Sequence, residues 1–192
     1  GALLAEHLCQ LGHRRLVFIS TPFNQLSLAR SQRLEGIRRQ LESHGIRDGL
    51  EVLSAERSAE ADALTNMPYE YNVGRALTAE LIRRRSNATA LIGVNDMTAL
   101  GILAELTARG IRVPSDVCGF DNIFSSAITT PSLTTIDHHL RTRCQAAVDM
   151  ILSRTAPAAA PGPFVNKIEY TPQLIVRSST GKAREGALES RE

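Results

Sequence analysis

The stretch VPSDVCGFDNIFSSAITTPSLTTI, from Val113 to Ile136, decides the fold class of this chain. It begins with a short β-type run, has an acid, Asp121, just past that run, continues through a polar loop, and ends in a second β-type run at Leu133–Ile136. In an α/β protein, an acid that leaves the carboxyl end of a strand points into the crevice where ligands bind. The stretch therefore predicts one wall of a small-molecule pocket, in a binding protein rather than an enzyme.

Strand-like and helix-like segments alternate on both sides of this stretch. Apolar runs typical of buried strands lie at Leu16–Ile19 and Ala90–Val94, and a weaker one lies at Leu50–Leu53. Apolar residues recur at helical spacing in four segments between or after these runs, at residues 27–43, 74–85, 96–110 and 140–153. This alternation predicts βαβ units and a mainly parallel sheet, which is an α/β fold.

Composition limits the classes of function. The 192 residues are 43% hydrophobic and 22% charged, which is typical of a globular protein with a sizeable core. The formal net charge of +2 gives no overall electrostatic footprint for nucleic acid. No apolar run approaches the ~20 residues that span a bilayer. Cys9, Cys118 and Cys144 share no CxxC spacing, so we expect three buried thiols in a reducing cytoplasm.

The motifs of common catalytic sites are missing from the sequence. It contains no phosphate-binding glycine loop, no nucleophile elbow and no HExxH zinc motif. None of the five histidines has a His or Cys partner at metal-ligand spacing, so we expect no metal and no cofactor. Polar residues at predicted strand ends, Asn95, Asp96 and Asp121, suit hydrogen bonds to a polyol better than catalysis. An α/β enzyme remains an alternative, because catalytic Cys–His partners need not be neighbours in sequence.

Seven short motifs follow one another along the chain. They are GHRRL (12–16), RLEGI (33–37), NDMTALG (95–101), VPSDV (113–117), GFDN (119–122), PSLTTI (131–136) and QLIVRSS (173–179). Each motif alone is weak. In this order and spacing, from residue 1 to about 180, the series resembles the effector-binding core of the LacI/GalR family of bacterial transcription repressors.

The resemblance implies a periplasmic-binding-protein-like fold, in which two α/β lobes with parallel sheets are joined by crossovers and an effector lies in the cleft. On this basis residues 1–12 and 139–170 belong to an N-terminal lobe that is incomplete in this chain. Residues 14–136 and 173–180 form the C-terminal lobe, and residues 181–192 form a disordered tail. The family's helix-turn-helix domain is absent here, so operator DNA would be bound only through that N-terminal domain.

The resemblance also indicates six effector-binding positions: Ser27, Arg33, Asn95, Asp121, Phe124 and His138. Each predicted contact has an alternative where the residues leave one open: a helix-surface ion pair for Arg33, a turn acid for Asp121, an N-cap for Asn95, a surface position for His138 and core packing for Phe124. The family has about two more residues between Val117 and Gly119, which leaves the register of Asp121 open.

The predicted function is effector binding and dimerisation in the core of a LacI-type repressor. The effector is a sugar or related polyol, the partner is a second copy of the chain, and no membrane is involved. Effector binding would close the lobes and shift the full protein between DNA-competent and incompetent states. A periplasmic-type sugar receptor is the alternative, because it shares the broad fold. The segments PSLTTI (131–136) and LIVRSS (174–179) favour the repressor.

Overall fold

The computed structural model describes residues 1–23, 28–55, 68–111, 116–155 and 167–183. Six strands lie within these residues: β1 (Leu16–Ser20), β2 (Leu50–Ser54), β3 (Ala90–Gly93), β4 (Val117–Phe120), β5 (Thr134–Asp137) and β6 (Gln173–Ile175). Six helices accompany them: α1 (Ala2–Gln10), α2 (Leu28–Ser43), α3 (Tyr69–Arg83), α4 (Asp96–Ala108), α5 (Phe124–Ile128) and α6 (Leu140–Thr155).

A single sheet of these six strands, in the order β2-β1-β3-β4-β5-β6, forms the centre of the described structure. The first five strands are parallel, and β6 pairs antiparallel with β5. In the middle of the sheet, Phe18 pairs with Val52 on one side and with Ile92 on the other. The predicted α/β class and mainly parallel sheet are therefore confirmed.

Both faces of the sheet are covered, so its central strands are buried at every position. Alternate residues of β1 point to opposite faces: Phe18 belongs to a core shared with α1 and α2, and Ile19 to a core shared with α3 and α4. Helices α3 and α4 approach closely at Gly74 and Gly101, where an added Cβ would collide with the opposing backbone. Within the described residues, no helix is long and apolar enough to cross a bilayer.

Helix α1 corrects one predicted domain boundary. The sequence interpretation assigns residues 1–12 to the incomplete N-terminal lobe, yet α1 packs beside α2 on the sheet. Leu4 and Leu8 are fully buried in the same core as Phe18 and Ile37. The apolar stripe of α1 fits the apolar face of the sheet, so residues 2–10 share a core with β1.

Helix α6 carries an apolar stripe that is exposed, although its spacing predicts an inward face. Leu140 is 62% exposed and Ile151 is 61% exposed. Cys144 is exposed as well, so the expectation of three buried thiols is confirmed for Cys9 and Cys118 and wrong for Cys144. Periodicity predicts an apolar face but not whether another part of the chain covers it. The assignment of residues 139–170 to a second lobe stays a prediction.

Residues 181–183, the first three of the predicted disordered tail, are held by hydrogen bonds. The amide of Ala183 donates to the carbonyl of Leu11 over 2.9 Å, and Nε2 of His13 lies 3.1 Å from the carbonyl oxygen of Gly181. Residues 181–183 are thereby attached to the end of α1. Residues 184–192 lie outside the described part of the chain.

Candidate ligand-binding site

A cavity of about 840 Å³ lies at the carboxyl ends of β4 and β5. The start of α1 and the first turns of α2 and α6 close its sides, and its lining includes Gln32, Arg33, Phe120, Asp121, His138 and Arg143. Pockets of roughly 300–1,000 Å³ are typical of small-molecule sites. Its position at the carboxyl edge of a parallel sheet is where α/β folds bind ligands.

Arg33 is fixed in the cavity wall by three contacts. Its Nη1 donates to the carbonyl oxygen of Val94 over 2.6 Å, and its Nη2 donates to Oδ1 of Asp121 over 2.7 Å. Its Cζ lies 4.8 Å from the centroid of the Phe120 ring, a cation–π distance. The guanidinium is therefore held in one orientation before any ligand arrives, which reduces the entropy that binding costs.

Asp121 leaves β4 with an unusual backbone conformation. Its φ is 106°, a value that residues with a side chain rarely adopt, and its N–H donates to the carbonyl of Ile136 over 2.9 Å. Such strained residues cluster at ligand sites. The side chain is 36% exposed, and Oδ2 receives no hydrogen bond from the described residues. The structure thus places this carboxylate in the cavity wall with one oxygen available to a ligand.

His138 lies between the two charged groups. Its ring is almost parallel to that of Phe120, with the centroids 6.4 Å apart, and Nε2 is 3.5 Å from Nη2 of Arg33 and 3.9 Å from Oδ1 of Asp121. Burial, followed by the charge of Arg33, lowers the pKa of His138, whereas Asp121 opposes the shift. The imidazole is therefore neutral at pH 7 and can either donate or accept a hydrogen bond.

Two predicted site residues, Asn95 and Phe124, are not brought to this cavity, and the position of a third is not described. Asn95 caps α4: its Oδ1 accepts the N–H and the hydroxyl of Thr98, both at 2.9 Å. Phe124 begins α5 and is 79% exposed, and it is not among the described lining residues, although its neighbour Ile123 is. Ser27 lies outside the described residues. The cavity therefore unites Arg33, Asp121 and His138 from the predicted set.

The sequence reasoning missed Gln32, Phe120 and Arg143. Phe120 directly precedes Asp121, and Gln32 directly precedes Arg33. Including the sequence neighbours of the two predicted site residues would therefore have found them. Arg143 lies in the first turn of the helix that follows β5. The beginning of a helix after a parallel strand lies at the carboxyl edge of the sheet, which is the signal that could have indicated it.

Asp96 follows the neighbouring strand β3 and is 1% exposed. Its Oδ2 accepts the N–H of Ile123 over 3.0 Å and the hydroxyl of Ser126 over 2.6 Å, and its Oδ1 accepts the hydroxyl of Thr135 over 2.6 Å. Burial raises the pKa of Asp96, and these hydrogen bonds oppose the shift. The residue thereby ties the segment after Asp121 to α4 and β5.

The fold and cavity define a ligand-binding α/β module with its site at the carboxyl edge of the sheet. The model of the family described as "Periplasmic binding protein-like domain" matches residues 5–180. The chain therefore belongs to the periplasmic binding protein-like domain family.

Relatives of the chain include transcription regulators. The chain is 29% identical over 181 residues to the HTH-type transcriptional repressor PurR of Haemophilus influenzae (strain PittEE), covering 93% of this chain and 50% of the relative. It is 33% identical over 184 residues to the HTH-type transcriptional regulator MalR of Streptomyces coelicolor, covering 95% and 49%. The chain thus spans about half the length of these curated relatives.

A solved structure shows the same fold with a ligand. The LacI family transcriptional regulator from Enterococcus faecium with bound ribose is similar at a TM-score of 0.78 and 26% identity, covering 95% of this chain and 62% of that chain. The sequence-based recognition of a LacI-type effector-binding core is confirmed.

Proposed function

We propose that the chain binds a small effector, a sugar or related polyol, and that it does so as the regulatory core of a LacI-type transcription repressor. The observation that carries this proposal is the pairing of Arg33 with Asp121 inside a cavity of about 840 Å³. Two facing groups of opposite hydrogen-bonding character, already oriented, suit a ligand with several hydroxyl groups.

The chemistry of the wall matches a polyol. A sugar hydroxyl both donates and accepts, so neighbouring hydroxyls can bond the available Asp121 oxygen and the guanidinium at once. His138 adds a neutral group that can take either role. The relative from Enterococcus faecium, with its bound ribose, supports a sugar as the ligand class. A role as a binding protein also accords with relatives that are regulators, not enzymes.

Binding would regulate DNA affinity through a change between two arrangements of the full protein. The cavity is lined by the start of α1, the first turn of α6 and the ends of β4 and β5, so one ligand contacts several separate segments. The coupling to DNA can be no larger than the effector's difference in affinity for the two arrangements. In this proposal a helix-turn-helix domain of the full-length cytoplasmic protein contacts the operator.

Helix α5 supports the proposed homodimer. Phe124 is 79% exposed and Ile128, one turn later, is 63% exposed. Two large apolar side chains on one face of a short helix form the kind of patch that a second copy covers. In this proposal Phe124 contacts the partner chain rather than the ligand.

The test is calorimetric titration of the full-length protein with ribose, glucose, maltose and adenine, followed by operator-release assays with any ligand found. We expect one sugar to bind and to change operator affinity. Failure of all sugars to bind contradicts the proposal. Turnover of a bound sugar would indicate an enzyme, and binding without any change in operator affinity would indicate a receptor.

A further inference from the structure

The two arginines in the cavity wall have different electrostatic environments. Arg33 forms an ion pair with Asp121 over 2.7 Å, so its charge is largely neutralised. Arg143 lines the same cavity and is exposed, and it forms no ion pair with a carboxylate in the described part of the chain. Asp121 is the one carboxylate among the described lining residues. The wall therefore has one more guanidinium than carboxylate.

His138 lies between Arg33 and Asp121 in the same cavity. Burial is the main cause that lowers its pKa, and the charges of Arg33 and Arg143 act in the same direction, with Asp121 opposing them. Arg143 lines the same cavity as His138, which lies close to both Arg33 and Asp121, so its charge faces the same space. A ligand that contacts the Arg33–Asp121 pair would therefore lie within reach of the field of Arg143.

The local structure of α6 keeps this charge uncompensated. Arg143 lies in the first turn of a 16-residue helix whose first turn contains no acidic residue. Its backbone N–H donates to the carbonyl of His139 over 2.9 Å, which fixes the start of the helix beside the cavity. A planar guanidinium without a protein carboxylate binds carboxylate or phosphate oxygens through two parallel hydrogen bonds.

We propose that the effector is an acidic polyol, bearing a carboxylate or a phosphate group, and that Arg143 pairs with this group. The inference rests on the proposed function of the same cavity. The Arg33–Asp121 pair orients the hydroxyl end of the ligand, and Arg143 selects for the charge. Arg143 is then the residue that distinguishes an acidic polyol from the neutral sugar of the same shape.

The test compares matched ligands on the full-length protein by calorimetry: ribose with ribose 5-phosphate, and glucose with gluconate and glucose 6-phosphate. Hydrogen bonds to a charged group contribute enough for us to expect about tenfold or greater preference for an acidic member over its neutral parent. The gluconate and phosphate arms show which acidic group is preferred. Arg143→Gln should remove the preference, so that the acidic member and its neutral parent bind within about twofold of each other.

Arg141→Gln is the matched control, because Arg141 is on the same exposed turn of α6 but does not line the cavity. This variant should keep the preference, and circular dichroism should show both variants folded. Equal or tighter binding of a neutral sugar, or an acidic preference that survives Arg143→Gln, overturns the inference and leaves the proposed function standing. Failure of every acidic and neutral sugar to bind overturns both.

Discussion

Two acids leave neighbouring parallel strands at the same edge of the sheet, yet their surroundings differ. Asp96 follows β3, is 1% exposed and accepts three hydrogen bonds, from Ile123, Ser126 and Thr135. Asp121 follows β4, has a side chain that is 36% exposed and is bonded through one oxygen to Arg33. An acid satisfied entirely by its own protein holds the structure together, whereas an acid with an available oxygen can bind a ligand.

The two acids are also connected. Asp96 accepts hydrogen bonds from Ile123 and Ser126, which lie in the segment that begins with Asp121. The buried Asp96 therefore holds in place the segment that carries the exposed Asp121. Gly119 contributes to this arrangement, because a Cβ at that position would collide with the Asp96 carboxylate. The hydrogen bonds that Asp96 accepts from residues that follow Asp121 in the chain therefore help to hold the strained backbone of Asp121 in place.

The largest effect is expected at Asp96. Asp96→Ala leaves a buried amide and two hydroxyls without their acceptor, so the free energy of unfolding should fall by about 3 kcal/mol. Urea denaturation measures this. Asp121→Ala is the matched control and should lose less than about 1 kcal/mol, because its partner Arg33 keeps other contacts. Equal losses for the two variants would remove the distinction between the two acids.

A medium effect is expected at Asn95, the residue directly before Asp96. Asn95→Ala removes the N-cap of α4, so the free energy of unfolding should fall by about 1 kcal/mol. Ligand affinity should stay within about twofold of wild type, because the side chain lies outside the described cavity lining. Asn95→Asp should restore the cap and the stability. A large loss of affinity at unchanged stability would instead assign Asn95 to the binding site.

The smallest effect concerns pH and His138. Its pKa is lowered in the folded protein by burial and by Arg33, with Asp121 opposing and the charge of Arg143 lowering it further. The unfolded chain therefore takes up this proton at higher pH than the folded one, and stability falls as pH drops below 6.5. Urea denaturation at about pH 7.5 and about pH 5.5 should show a smaller decrease for His138→Gln than for wild type. An unchanged decrease would show that other groups cause it.

Local patterns predicted the elements of the fold, because a buried parallel strand needs a continuous apolar run and a packed helix needs apolar residues at helical spacing. The position after a strand indicated Asp121, and the resemblance added Arg33 and His138; the structure brings the three together in one wall. Local interactions explain the residues that behave otherwise: Asn95 satisfies backbone groups of its own helix. Arg143 is placed by the start of α6 after the parallel strand β5, a signal of chain order that neither local residue patterns nor the family resemblance contains.

The central claim is that Asp121 is a ligand acceptor, and Asp121→Asn tests it most directly, because the amide keeps the shape of the side chain and removes its charge. The measurement is calorimetric titration of the full-length wild-type and variant proteins with the tightest-binding of the sugars and sugar acids named above. We predict a loss of affinity of about tenfold or more, with the free energy of unfolding nearly unchanged. An affinity within about twofold of wild type would contradict the account.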